Sequence, residues 1–381
     1  MHKWMNVAVV GNGNREKAMK SVIEPSAGSS RVNSCVLVPW TTIDEVVAQV
    51  LDTADLVTIG PEAPLVAGLA DKLHSLGIPT VGPTAAAAKL EGSKVFGRKI
   101  CKEAIVRTPR YWRIDSERDA EALLANWEGP IVVKWDGLWG GKGVTIHHSA
   151  REALAKVSEG LPHGPVLIEE FLVGQEISVF FACDGVNGRF VGDACDKKKL
   201  LENDEGPNTG GMGAWSPSSY LTSHLLEEIQ GDIVEPVLQV MKQRGVPYHG
   251  ILYLGLMLVN VGGTILIYLI EFNCRWGDPE AQVILPRLKT NFVNILTATL
   301  ETGGLESLPP IEFYSTKLVG VTIAGKDYPK KGSRLRTVVG SGKTYRAAHL
   351  DAYGQIEEMK DSGVLVVQDI QYRTDIGVGI V

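Results

Sequence analysis

The chain has 381 residues, enough for two to four domains with real cores. Hydrophobic content of 44% and charged content of 22% are those of a globular protein rather than a disordered or membrane-spanning one. A formal net charge of -6 argues against general nucleic-acid affinity but leaves room for a local basic site for phosphate.

The amino-terminal stretch has no long apolar segment and no small-residue cleavage site, and no apolar run reaches spanning length. Cys35, Cys101, Cys183, Cys195 and Cys274 lack C-x-x-C spacing, which predicts free thiols in a reducing cytosol. A cytoplasmic protein is expected, with no membrane and no nucleic-acid partner. Residues 6–10 form a short apolar strand that runs into Gly11-Asn12-Gly13-Asn14-Arg15-Glu16 and then a helical stretch. Strand, glycine turn and helix point backbone N–H groups at an anion, and Arg15 can add a charge-assisted contact. The third glycine of the dinucleotide fingerprint is missing, so the turn also reads as the first βα turn of any doubly wound sheet.

Further strands are expected at 34–38, 56–60 and 80–82, alternating with helices at 43–51 and 66–76. This βαβα order predicts a small parallel-sheet unit up to about residue 90. The turn Gly60-Pro61-Glu62 lies at the carboxyl end of its strand, where open α/β sheets place ligands. A helix over 85–104 carries Lys94 and Lys99, facing phosphate or simply water.

A strand at 130–134 ends in Lys134. The loop Trp135-Asp136-Gly137-Leu138-Trp139-Gly140-Gly141-Lys142-Gly143 and a strand at 144–147 follow. A glycine-rich loop between two strands can fold over phosphates as a flap, with Lys134 and Lys142 supplying charge. No helix and no G-K-[ST] follow, so this is not a Walker loop. The alternative is a hairpin turn with two exposed lysines, which two tryptophans in the loop argue against. Strands are also expected at 166–171 and 177–183, with Glu176 between them placed to meet a ribose. Residues 196–213 have the weakest hydrophobic pattern; a long unstructured loop in mid-chain reads as a site. A helix over 223–244, a strand pair at 250–259 and 264–270 and a helix over 291–302 come next. Short strands at 317–324, 340–345, 354–358 and 364–368 predict an all-β tail.

The strand at 264–270 drives toward Glu271, after which Asn273, Arg275, Asp278 and Glu280 crowd together. Strand periodicity puts Glu271 and Asn273 on one face. Two oxygen donors there suit Mg²⁺, which takes one or two protein ligands and completes its shell with phosphate and water. The alternative is a salt-bridged strand end with Arg275 neutralising the acids.

These segments together resemble the ATP-grasp superfamily, and within it the phosphoribosylamine–glycine ligase (glycinamide ribonucleotide synthetase) family, as a divergent member. The matching phrases are GPEAPLVAGLAD at 60–71, GPT-AAA-LEGSK at 82–94 and IVVK-DGL--GKGV at 131–144. IEEFL-G-E-S at 168–178, GPNTGGMGAWSP at 206–217 and EFNCRWGDPE-Q at 271–282 complete the set. The resemblance implies an α/β and α+β multidomain architecture. An N-terminal doubly wound parallel-sheet domain (1–105) would precede an ATP-grasp domain (106–305, flap about 122–182) and a small β-rich C-terminal domain (306–381).

The resemblance also implies ATP-dependent amide formation from a small-molecule carboxylate, glycine or similar, and an amine, through an acyl phosphate. ATP and Mg²⁺, which Mn²⁺ can replace, would be the cofactors, and the protein a monomer or homodimer. Glu271 and Asn273 would hold the metal. Lys134 and Lys142 would contact phosphates, with Lys94 on the adenosine side. Glu169, Phe171 and Leu172 would line the adenine pocket and Glu176 would face the ribose. Arg275, Asp204 and Lys142 would serve catalysis. Gly11, Gly13, Arg15, Glu16, Pro61, Glu62, Asn208, Thr209, Gly210 and Asp278 would meet the substrates.

The chain departs from the family mostly on the amine side. A loop reading GSGGREHA in the family has Asn14 for a glycine and Lys17 for the histidine, and the family's PGNAG motif has no counterpart after Val38. DHK becomes Asp196-Lys197-Lys198, Trp135 replaces an alanine, and the tail before YRTDIG is short. Two alternatives therefore stand beside the family activity. One is a specialised-metabolism ligase joining an amino acid or other carboxylate to a non-phosphoribosyl amine. The other is a non-catalytic nucleotide-binding protein, which the retained Glu271, Asn273, Lys134 and Lys142 disfavour.

Overall fold

The apolar runs at the start of the chain stack side by side in the computed structural model, which describes residues 5–24, 32–140 and 142–380. Strands β1 (Met5–Val10), β2 (Val32–Val38), β3 (Leu56–Ile59) and β4 (Thr80–Val81) form one parallel sheet in the order β2-β1-β3-β4. Its connections are helices α1 (Asn14–Ile23), α2 (Ile43–Val50), α3 (Glu62–Ala67) and α4 (Leu69–Ser75). Helices on both faces leave the middle strands dry, so Val7–Val10 of β1 is an apolar run and β3 is fully buried, its Thr58 included. The helix expected at 66–76 is two helices, because Gly68 takes a left-handed φ of 91° between them. The helix expected at 85–104 is also two, α5 (Ala85–Gly92) and α6 (Lys94–Glu103). Ser93 is extended between them and caps α6, its Oγ accepting from Phe96 N at 3.1 Å.

The second unit begins with β5 (Tyr111–Ile114), α7 (Glu117–Leu124), β6 (Ile131–Trp135) and β7 (Val144–His147). Helix α8 (Ala150–Gly160) and β8 (Val166–Glu170) complete it. The antiparallel sheet runs β5-β8-β6-β7 around a core of its own, including Ile114, Val133, Val157 and Ile168. The glycine-rich loop joins β6 to β7 at its edge; Gly141 lies outside the described residues, as do residues 1–4.

The remaining chain builds one large sheet. Strands β9 (Gln175–Asp184), β10 (Gly188–Asp196), the hairpin β11 (Lys199–Leu201) and β12 (Glu205–Asn208), and β13 (Gly213–Ser216) come first. Helices α9 (Ser223–Ile229) and α10 (Glu235–Gln243), joined by a π turn, lead to β14 (His249–Val261) and β15 (Thr264–Asn273). Then follow α11 (Glu280–Ile284), α12 (Phe292–Ala298), β16 (Lys317–Gly325), β17 (Arg334–Gly342), α13 (Tyr345–Asp361) and β18 (Ile370–Gln371). The order is β15-β14-β9-β10-β13-β16-β17, with β18 beside β16.

Three expectations change here. Residues 196–213 are not structureless, since β11 and β12 pair within them. Strand β15 continues to Asn273, so Glu271 and Asn273 belong to the ladder, opposite Gly255 and Tyr253. The strands expected at 354–358 and 364–368 are absent, the first lying inside the 17-residue helix α13. Tyr345, Ala348, Ala352 and Ile356 give that helix a buried face at spacings of three and four, a helical period that Gly354 obscures. It packs so closely on β17 that a Cβ on Gly340 would stand 2.2 Å from Ala348 O.

Candidate active site

The site is built on a bulge in β15. Gly255 faces Glu271 but Leu256 faces Leu269, so the ladder skips Ile270 and leaves its carbonyl to other donors. Arg98 Nη2 donates to it at 2.8 Å and Lys134 Nζ at 3.1 Å. Both cations also meet Glu169: Arg98 through Nε at 2.7 Å and Nη2 at 3.0 Å, Lys134 at 2.8 Å. Burial acts to raise the Glu169 carboxyl, but Lys134 and Arg98 outweigh it and bring it down to about 2. Three elements, α6, β6 and β8, are thereby locked to β15 by charge and hydrogen bonds. Glu169 is 1% exposed, its carboxylate enclosed by Arg98 and Lys134. Phe171, 39% exposed, and the half-buried Leu172 do offer apolar surface beside it.

Beyond the bulge, Glu271 lies 3.6 Å from Lys198, which also pairs closely with Glu176. Burial opposes ionisation of Glu271, yet Lys198, Lys134 and Lys94 carry its carboxyl down to about 2. Burial likewise opposes the Lys198 ammonium, and Glu176, Asp196 and Glu271 hold it well above its ordinary value. Asn273 places Oδ1 3.1 Å from Arg275 Nη2 and Nδ2 3.5 Å from Glu271 Oε1, keeping a second oxygen lone pair for a cation. An ionised carboxylate and an amide oxygen on one strand face are a hard-oxygen donor pair that fits Mg²⁺. Lys94 donates to Gly137 O at 2.9 Å, and Asp136 accepts from Ser93 Oγ and from Val95 N at 3.1 Å, so the flap root is tied to the start of α6. Burial pushes the Lys94 ammonium below its usual value. Lys142 stands exposed on the flap.

Arg275 turns from β15 toward the parallel-sheet unit. Its Nε donates to Glu62 Oε2 at 2.8 Å and its Nη2 lies 3.0 Å from Glu91 Oε1. Arg275 pulls Glu62 down to about 2, whereas burial keeps Glu91 above its ordinary value. Pro61 precedes Glu62 at this seam. Arg15, expected to meet a phosphate, is instead 8% exposed and engaged: Nε with Glu16 Oε1 at 2.7 Å and Nη1 with Trp276 O at 3.1 Å. Glu16 Oε2 accepts from Gly13 N at 2.8 Å, and Gly11, at φ 109°, leaves room for its side chain. Gly13 N is thus met from within the turn, while Gly11 N donates to Val38 O at 2.7 Å.

In the GPNTGG loop, Thr209 Oγ1 donates to Lys198 O at 2.8 Å and accepts from Gly211 N at 3.0 Å, shaping the loop rather than facing outward. Asn208 pairs in register with Lys199. Asp204 is held by Lys197 at 2.5 Å and Arg373 at 2.9 Å. Gly210 O and Asp278 Oδ2 both accept from Arg334, at 2.6 and 3.0 Å. Sequence reasoning missed Arg98, Lys198, Glu91 and Arg334. Lys198 hides in a run of three lysines, and the other three reach the site from helices or a strand remote in sequence. Glu280, noticed only as part of a crowd, is 3% exposed and accepts from Tyr253 OH at 2.8 Å.

The family model described as "Phosphoribosylglycinamide synthetase, N domain" matches residues 5–91, and "Phosphoribosylglycinamide synthetase, ATP-grasp (A) domain" matches 92–281. A phosphoribosylamine–glycine ligase of Leifsonia xyli subsp. xyli is 36% identical over 424 residues, covering 98% of this chain and 99% of the relative. That aligned length exceeds the 381 residues of the chain, so the alignment opens gaps here, in keeping with the shortened segments. One from Streptomyces coelicolor is 43% identical over 72% of this chain and 64% of the relative. Among solved structures, the phosphoribosylamine–glycine ligase of Thermotoga maritima superposes with a TM-score of 0.79 at 27% identity, covering 97% of this chain and 99% of that one. The chain belongs to the phosphoribosylamine–glycine ligase family of ATP-grasp enzymes, and is an ATP- and Mg²⁺-dependent ligase joining a carboxylate to an amine.

Proposed function

We propose that the carboxylate is that of glycine and the amine that of phosphoribosylamine. A carboxylate is a poor acyl donor because its leaving oxygen is basic, and phosphorylation by ATP replaces that oxygen with phosphate. The amine then attacks the acyl carbon, phosphate departs, and an amide remains. Catalysis of this kind rests on alignment and charge neutralisation. Lys134, Lys142 and Lys198 gather on the phosphates, with Lys94 at the adenosine side, Glu176 at the ribose and Phe171 and Leu172 against adenine. Glu271 and Asn273 would hold Mg²⁺, which neutralises phosphate charge when bound. Arg275 steadies charge at the seam, while Gly11, Gly13, Pro61, Glu62, Asn208, Gly210 and Asp278 border the acceptor.

One observation carries this reading. The ionised Glu271 and its three lysines stand two residues from Asn273, whose oxygen meets the arginine that grips Glu62. The nucleotide side and the acceptor side therefore meet at one strand end. Incubation with ATP, Mg²⁺, glycine and phosphoribosylamine should release ADP and form glycinamide ribonucleotide. ADP release with other amines but none with phosphoribosylamine would remove the acceptor assignment.

A different, unphosphorylated amine is the second reading. It is favoured by the turn after β1, where Glu16 rather than open space meets Gly13 N, and by the β2–α2 connection, Pro39-Trp40-Thr41-Thr42, which contains no glycine. We further propose a cytoplasmic enzyme, monomeric or homodimeric, with units at 1–105, 106–305 and 306–381 and Mn²⁺ able to replace Mg²⁺. No helix among the described residues is long and apolar enough to cross a membrane.

A further inference from the structure

The stretch 197–211 is held in place from the far end of the chain. Arg373 is 1% exposed and grips Asp375 through Nε at 2.7 Å and Nη2 at 2.5 Å. Its Nη1 donates to Asp204 Oδ1 at 2.9 Å and to Lys199 O at 3.1 Å. Asp375 Oδ2 accepts from Asn203 N at 3.1 Å, and Thr374 bonds Glu202 through its hydroxyl and its backbone N–H. At the other end, Arg334 Nη1 donates to Gly210 O at 2.6 Å and Asp278 O at 2.5 Å, and Nη2 to Asp278 Oδ2 at 3.0 Å. Tyr328 OH accepts from Gly210 N at 3.0 Å.

The turn at the Arg373 anchor uses left-handed backbone at two successive residues, Asn203 and Asp204, with φ 56° and 58°. Asn and Asp enter this region more readily than other non-glycine residues, and the contacts from Arg373 and Asp375 hold both there. Arg373 and Arg334 direct their donors to this stretch and to Asp375 and Asp278, not to Glu271 or Asn273. Arg373 reaches the chemistry through the loop, and Arg334 through the loop and through Asp278.

We propose that Arg373 and Arg334 are positioning residues that clamp 197–211 as the acceptor-side wall of the reaction chamber. The inference rests on the acyl-phosphate reading. With the wall in place, amine attacks the acyl carbon and phosphate leaves. With it loose, water attacks the same carbon, phosphate leaves, and the carboxylate is regenerated with ATP lost. Lysine keeps the charge and loses the planar fork, so Arg373→Lys and Arg334→Lys test the clamp, and unchanged exchange in β9 and β14 shows that the fold is kept.

Two measurements decide it. Amide hydrogen exchange of the substrate-free protein should quicken about tenfold over 197–211 in each variant, with β9 and β14 unchanged. With glycine, ATP and hydroxylamine as the amine, hydroxamate formed per ADP released should fall at least about twofold while the KM for ATP holds. Unchanged exchange overturns the clamp, and so does a loosened loop with an unchanged hydroxamate-to-ADP ratio. Absence of hydroxamate from the unmodified enzyme would count against glycine alone, since exchange needs no substrate and still decides whether the arginines hold the wall.

Discussion

Glu271 keeps its charge beside three lysines at the end of β15, and Glu169 keeps its own in the interior, between Lys134 and Arg98. The two carboxylates do different work, and substitution separates them. Glu271→Gln preserves shape and one oxygen but removes the charge, so turnover should fall at least about a thousandfold with the circular dichroism spectrum unchanged. Normal rates would place the metal elsewhere. Glu169→Gln leaves two buried cations without their anion and should lower unfolding free energy by about 3 kcal/mol, read from the denaturant midpoint. The pH dependence has a definite sign. Glu169 titrates near 2 when folded against an ordinary 4.5, so in that window the unfolded chain binds more protons. Its contribution is present above 4.5 and is lost as pH falls toward 2; the Gln variant should show a shallower acid slope in Tm.

At the scale of elements, the flap and the first βα turn look alike in sequence and differ in structure. The flap is pinned at its root, where Trp139 Nε1 donates to Asp136 O at 2.7 Å and its ring meets Trp135 edge-on at 4.9 Å. Its far side carries the exposed Lys142, free to approach a phosphate from solvent. Lys142→Ala should raise the KM for ATP about tenfold, as loss of one charge-assisted contact predicts, with little change in Tm. Unchanged kinetics would reduce the loop to a plain turn. The β1–α1 turn behaves in the opposite way. Arg15 joins α1 to Trp276 O across 261 residues and is nearly buried. Arg15→Ala should therefore destabilise the protein by about 2 kcal/mol, by removing the charged partner of Glu16 and one of the two arginine donors to Trp276 O. A raised amine KM at undiminished stability would restore a direct substrate role.

For the whole molecule, a ligand at the end of β15 is coupled to the fold, because β15 is bonded to α6 and β6, and through them to β8, and the residues after it reach the parallel-sheet unit through Arg275. Saturating ATP with Mg²⁺ at a hundredfold excess over Kd should add about 2.7 kcal/mol to stability, seen as a higher Tm. A chelator should abolish both turnover and most of that shift; persistence of turnover would exclude a metal requirement.

The strands of the parallel sheet, the pairing of β14 with β15, and the placement of Glu271 beside Asn273 follow from local pattern, because alternation and apolar runs report burial directly. The motif GPNTGGMGA and the stretch around EFNCRWGDPE likewise carry the resemblance to the ATP-grasp family, because they are long and specific. Helix α13 escaped because Gly354 imitates a turn within a helical period. What the residues do with their charges was settled only by packing. Arg15 pairs with a backbone carbonyl 261 residues away, Glu169 with an arginine from another helix, and Lys198, one of three neighbouring lysines, is the one near Glu271. A side chain's partner is fixed by which remote segment the fold brings within about 3 Å, and electrostatic energy at that range outweighs any preference the local sequence can express.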